Sequence, residues 1–133
     1  MLYLLDTNAV IALLKEHPLI LNHVRRVGRL SLRLCAPVEA ELWYGVHRST
    51  QQEYNRARLL TLLDWLPSLP FADQSPRHFG DIRAYLARQG SPIGPYDLQI
   101  AAIARTHDMV LVTHNTHEFS RVPRLTLEDW EVE

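Results

Sequence analysis

The sequence predicts an α/β domain with a mostly parallel central sheet, and three observations predict it. Short apolar runs recur at residues 1–5, 32–36 and 109–113; runs of that length without polar alternation fit strands buried on both faces. Between them lie longer segments with apolar residues at helical spacing, the alternation that lays helices onto the faces of a sheet. Two of the runs stop at polar clusters, Asp6-Thr7-Asn8 and His114-Asn115-Thr116-His117-Glu118. Strand ends of this kind are where open α/β sheets place their ligands.

Taken in order, residues 1–5 form the first strand, and a helix over 9–15 follows. Asp6 stands between them. Asp, Thr and Asn are all good helix caps, so from these residues alone Asp6 reads equally as a cap or as a functional carboxylate. His17-Pro18 marks a break. Residues 19–27 then keep a helical rhythm that Gly28 closes, with Arg25, Arg26, Arg29 and Arg33 clustered around that end. Residues 32–36 form a second strand, in which Cys35 sits between Leu34 and Ala36 as a buried thiol rather than a nucleophile.

Pro37 fits the first position of a helix running to about residue 49. On it Val38, Glu41, Leu42 and Gly45 share one face. An acid on an apolar stripe is costly unless it is paired or binds a cation, which singles out Glu41; Glu39 fits a solvated helix charge. Residues 51–63 form a helix packing through Leu59, Leu60, Leu62 and Leu63. Residues 65–71, interrupted by Pro67 and Pro70, make an edge element at best, because proline cannot donate to a ladder. Ser75-Pro76 opens a helix that ends near Gln89, with Gly90 just beyond it. A stiff Gly- and Pro-rich turn, residues 90–95, delivers Tyr96-Asp97 to an apolar helix over 98–105. Residues 109–113 are the last core strand, and the tail through Trp130 holds one short extended piece.

Length and composition set limits. The 133 residues suit one domain spanning 1–133, and 47% apolar with 22% charged is a globular balance that excludes a disordered or fibrous chain. The basic side chains are thirteen arginines and a single lysine, Lys15. Arginine forks match phosphate oxygens, which favours a nucleic-acid partner, although genome composition and simple salt bridging account for them too. One cysteine cannot form an intrachain disulfide, and the first apolar run lacks a basic lead and stops at Asp6. The expectation is therefore a cytoplasmic protein with no membrane contact.

Three acids stand in apolar or turn-like surroundings: Asp6, Glu41 and Asp97. If the strand ends share one edge of the sheet, they converge with the polar cluster at 114–118. Clustered carboxylates repel, so a stable cluster calls for a cation. Oxygen ligands select hard ions such as Mg²⁺ or Mn²⁺, which can orient a phosphodiester and activate water. Metal-assisted phosphodiester hydrolysis is the expected chemistry.

At this point the sequence resembles a known family. Leu4-Leu5-Asp6-Thr7-Asn8, the stretch from Val38 to Gly45, Ile93-Gly94-Pro95-Tyr96-Asp97 running into Ile100-Ala101-Ala102, and the stretch from Leu111 to Phe119 are similar to the PIN-domain ribonucleases. More narrowly they resemble the VapC toxins of bacterial toxin–antitoxin pairs, as do Leu86-Ala87-Arg88-Gln89-Gly90 and Glu128-Asp129-Trp130. The resemblance implies a three-layer α/β/α PIN-like fold and Mg²⁺- or Mn²⁺-dependent cleavage of RNA, often tRNA. It also implies a VapB-type antitoxin whose C-terminal segment fills the toxin groove, and a homodimer. Asp6, Glu41 and Asp97 fall on the family's acidic metal-site positions. Where many relatives carry a further acid this chain has Asn115, with Glu118 three residues on as a possible ligand. Asp6 and Asp97 would coordinate metal directly and Glu41 directly or through water, with Thr7 and Asn115 as supporting hydrogen-bonders.

Other readings are open to the same residues. His114 and His117, with His107 upstream, suggest zinc, but no cysteine pair joins them and His-x-x-His in a loop lacks the helical geometry of zinc hydrolases. Trp43 and Tyr44 read as core or dimer-interface residues before base-stacking platforms. A catalytically silent PIN-fold binding module is the chief rival, favoured by Asn115 alone. A metal-dependent DNA nuclease or phosphatase could use the same cluster.

Overall fold

Each of the three short apolar runs becomes a strand of one sheet in the computed structural model, which describes residues 1–133. The strands are β1 (Tyr3–Leu5), β2 (Leu32–Cys35), β3 (Ser68–Leu69), β4 (Val110–Val112) and β5 (Leu127–Glu128). They pair in the order β3-β2-β1-β4-β5, and every pairing is parallel. In β1, Tyr3 lies opposite Leu32 on one side and Val110 on the other. All three residues of β1 are buried, which is why that stretch is apolar without alternation.

Seven helices connect the strands: α1 (Thr7–Leu14), α2 (Pro18–Val27), α3 (Ala36–Arg48), α4 (Gln52–Trp65), α5 (Ser75–Arg88), α6 (Pro95–Thr106) and α7 (Thr116–Phe119). From β1 the chain steps outward through β2 to β3, then crosses back to β4 on the other side of β1. Right-handed crossovers then put α1 to α4 on one face of the sheet and α5 to α7 on the other. The result is three layers with a topological switch between β1 and β4, the place where such sheets bind ligands.

The elements end for local reasons. Gly28 (φ 82°) and Gly90 (φ 68°) stop α2 and α5 in a left-handed conformation that costs glycine little. Pro67 and Pro70 flank β3 and confine it to two residues at the sheet's edge. On α4 the buried stripe is Leu59, Leu62 and the following Leu66, while Leu60 faces solvent at 48% exposure; the expected packing of Leu60 is not found. Nor is the segment after β4 wholly a loop, since Thr116–Phe119 forms a helical turn whose Phe119 is buried.

The tail is tied down by its tryptophan. Trp130 is 1% exposed, stacks on His23 with ring centroids 5.1 Å apart and tilts against Tyr3 at 5.3 Å. Its Nε1 donates to Glu128 Oε1 at 2.8 Å. Burying an indole of roughly 200 Å² at about 25 cal/mol per Å² contributes about 5 kcal/mol as an upper estimate. The exposed Arg26–Glu128 contact at 3.6 Å adds at most about 1 kcal/mol. Hydrophobic burial therefore fixes the tail, and β5 follows from it.

Candidate active site

Asp6 is the first residue after β1, and its N–H continues the ladder by donating to Val112 O at 3.1 Å. Its Oδ1 accepts from Ala9 N at 2.8 Å, so it is itself the N-cap of α1. That corrects both the start of the helix, which is Thr7 rather than Ala9, and the choice between cap and functional acid: one oxygen caps and the carboxylate still lies in the site. Asp6 is 5% exposed. Burial raises its pKa, opposed by hydrogen bonds from the Thr113 hydroxyl and the Ala9 N–H and reinforced by repulsion from Glu131 and Glu41.

Glu41 rides on α3 between buried Val38 and Leu42 and is half-buried. It lines a groove of about 260 Å³ whose apolar wall includes Ile11, Leu14, Leu42 and Val46. Glu39 is half-buried too, and accepts from Trp43 Nε1 at 3.4 Å rather than standing as a freely solvated charge.

Asp97 sits in the first turn of α6, where a carboxylate ordinarily gains ~0.3–1 kcal/mol from the helix, less than one pKa unit. Its carboxyl is nevertheless pushed up to about 6. Burial is the largest cause, followed by repulsion from Glu118, a hydrogen bond shared with Glu118, and the charges of Asp6 and Glu41. Two carboxyl groups close enough to share a proton cannot both ionise cheaply. Glu118, on α7, therefore belongs to the cluster, and Asn115 serves it by donating from Nδ2 to Glu118 Oε2 at 2.9 Å.

The residues Asp6, Glu41, Asp97, Asn115 and Glu118 thus come together at the carboxyl edge of β1 and β4. The four salt bridges of the chain are Arg26–Glu128, Arg105–Asp81, His114–Asp129 and Arg124–Asp81; none reaches the four acids. Beside Asp6, the Thr7 hydroxyl is buried without a hydrogen-bond partner. An all-oxygen donor set that no salt bridge neutralises has the chemistry that suits a hard divalent ion.

Cys35 is fully buried and its thiol is pushed up to about 12, by burial first and then by Asp6 and Glu41; it is no nucleophile. The three candidate zinc histidines do not gather: the one group of His, Cys, Asp or Glu side chains with metal-ligand spacing is His114 with Asp129 and Glu131, beside the four acids rather than among them. Of the arginine cluster, Arg25 bonds Asn22, Arg26 contacts His23 and Glu128, and Arg33 caps the carbonyls of Leu30 and Leu32. Those side chains are engaged locally rather than held out for phosphates.

No functional role is read from the sequence for Thr113, Asp129 or Glu131. Thr113 is buried, bonds Asp6 and accepts from Asn115 N at 2.9 Å. Asp129 and Glu131 reach the same edge because β5 runs parallel to β4. A hydroxyl closing a strand's apolar run was the one signal for Thr113; nothing periodic marks a two-residue strand.

Comparison with known proteins agrees with this geometry. The PIN-domain family model matches residues 3–125. The chain is 39% identical to the tRNA(fMet)-specific endonuclease VapC of Salmonella typhimurium, over 96% of this chain and 97% of that protein. It is 38% identical to the ribonuclease VapC2 of Haemophilus influenzae with the same coverage. Among solved structures, VapBC2 from Rickettsia felis bound to a DNA fragment from its promoter superposes with a TM-score of 0.91 at 34% identity, over 98% of this chain and 99% of that one. With its acids gathered at the β1/β4 switch, this chain belongs to the PIN-domain family and, within it, to the VapC ribonucleases.

Proposed function

We propose that this protein is a toxin of a VapBC-type pair that cleaves RNA endonucleolytically, with Mg²⁺ or Mn²⁺ held by Asp6, Glu41, Asp97 and Glu118. The observation that carries the reading is the convergence of four carboxylates that no salt bridge neutralises. When bound, a divalent ion supplies the charge that draws in a phosphodiester and makes a water molecule more acidic. The chain's own residues do the rest. Asp6 is fixed by Ala9 N–H and Thr113, so its carboxylate cannot swing away. Glu118 is oriented by Asn115. Thr7 keeps a free hydroxyl for a ligand or water.

A structured RNA, tRNA foremost, is the proposed substrate, since the Salmonella relative is named for tRNA(fMet). The proposed protein partner is a VapB-type antitoxin, supported by the VapBC complexes among the structural neighbours. Its C-terminal segment would lie in the groove beside Glu41, and a homodimer is the expected assembly. No helix of the chain is long and apolar enough to cross a membrane.

The test is to incubate the pure protein with total RNA and with tRNA, with Mg²⁺ or Mn²⁺ and with chelator. Discrete fragments that vanish with chelator support the reading. Cleavage that persists in chelator removes the metal, and cleavage of DNA alone shifts the substrate. No cleavage of any nucleic acid leaves the silent binding module.

A further inference from the structure

We infer that His114, held in place by Asp129, is a substrate-positioning residue whose outer ring nitrogen, Nε2, binds a backbone phosphate of the RNA next to the one being cut. The inference rests on the ribonuclease reading and adds a residue to it. His114 Nδ1 lies 2.9 Å from Asp129 Oδ2. The two ends of that contact differ: the Asp129 side chain is 16% exposed and the His114 side chain 58%. Asp129 is further fixed by accepting the Glu131 N–H on Oδ1 at 3.0 Å. A nearly covered carboxylate with both oxygens engaged therefore accepts from Nδ1–H and sets the plane of an exposed ring, and by favouring the doubly protonated imidazolium it leaves Nε2–H turned outward as a donor.

The place matters as much as the pair. His114 directly follows Thr113, the residue whose hydroxyl holds Asp6, and the charges of Asp6 and Glu131 both act on the ring. His114 therefore stands at the rim of the acidic centre. An RNA strand approaching that rim meets Asp6, Glu41, Asp97, Glu118 and Glu131, all of which repel phosphate, and Arg25, Arg26 and Arg33 are engaged locally. A directed N–H at the rim is the group that can donate to a phosphate oxygen there. Pinning the C-terminal tail does not call for this contact, because Trp130 is already buried and stacked.

Two isosteric variants separate the roles. His114→Asn keeps a donor where Nδ1 bonds Asp129 and removes the outer nitrogen. His114→Gln keeps a donor near Nε2 and gives up Asp129. Steady-state cleavage of tRNA and anisotropy of a labelled RNA on the Asp6→Asn background are both measured, with Tm as the fold control. The expected result is a KM and an RNA Kd raised about fivefold to tenfold in His114→Asn, kcat within about twofold, Tm unchanged and a salt dependence reduced by about one ion. His114→Gln should recover much of the loss. The opposite order, with His114→Gln the worse variant and Tm falling with it, makes the contact a tail clamp and overturns the inference. So does a kcat loss at unchanged KM. If the wild type cuts no RNA, the ribonuclease reading fails on its own, and the anisotropy comparison still decides His114: equal Kd values for wild type and His114→Asn overturn it.

Discussion

Asp81 and Asp97 lie on two consecutive helices packed against each other, yet their charges meet opposite surroundings. Asp81, on α5, accepts from Arg105 Nη2 at 2.8 Å and from Arg124 Nη2 at 3.3 Å, and the Arg105 bond holds its carboxyl below the usual range. Asp97, on α6, has no arginine, and burial with Glu118 beside it pushes its carboxyl up to about 6. Arg105 belongs to the same helix as Asp97 but stands in its last turn while Asp97 stands in the first, so the pairing falls at one end of α6 only. An acid meant to stabilise a fold is paired with a protein cation. The acids at the β1/β4 switch have no such partner, the arrangement that the proposed metal-binding role calls for.

The comparison breaks most visibly in activity. Asp6→Asn is expected to lower RNA cleavage on the order of a hundredfold or more, since it removes a fixed charge from the reacting centre. Circular dichroism should stay unchanged, because Asn still caps α1. Asp81→Asn should leave cleavage at the wild-type rate. Equal losses in the two variants would mean that the acids at the switch are no more functional than the paired one.

A smaller effect sharpens the membership of the cluster. Glu118→Gln should cost more cleavage than Asn115→Ala, which removes only the group that orients Glu118 and is expected to cost roughly tenfold. Single-turnover rates at saturating Mn²⁺ give the ranking. Asn115→Ala proving the worse of the two would return the fourth position to Asn115.

The unpaired side of this contrast is legible in the amino-acid sequence alone. Asp6 ends an apolar run, Glu41 breaks an apolar stripe, and Asp97 follows a Gly-Pro turn; each is a local conflict between charge and surroundings. Parallel strands were legible because burial on both faces leaves no alternation. What stayed hidden depends on distant contacts. The engagement of Arg26 and Arg33 follows from β5 and from a 3₁₀ turn at Arg29–Ser31. Asp129 and Glu131 reach the site only through a two-residue strand, too short to carry a period. Leu60 looked like part of a leucine stripe, but only the residues matching the sheet's surface are covered.

The subtlest difference between the two regions is in how stability responds to pH without metal. A carboxyl whose folded pKa is raised favours the folded state when protonated. Asp97 therefore contributes stability that is fully present below its ordinary 3.8 and is lost as pH rises through about 6. Asp6, also raised, acts with the same sign. Asp81 is lowered, so its contribution is present above 3.8 and disappears only in stronger acid. His114 is raised by Asp129, and its contribution is lost only above its ordinary 6.5. Between pH 4 and about 6, as the pKa values of Asp97 require, urea unfolding in chelator should show stability falling as pH rises. Asp97→Asn should flatten that slope and Asp81→Asn should leave it. Added Mn²⁺ should reverse its sign, because an ion that binds the ionised carboxylates stabilises the fold more as they deprotonate. An unchanged slope in Asp97→Asn would mean that Asp97 is as well compensated as Asp81, and the contrast between the two helices would be lost.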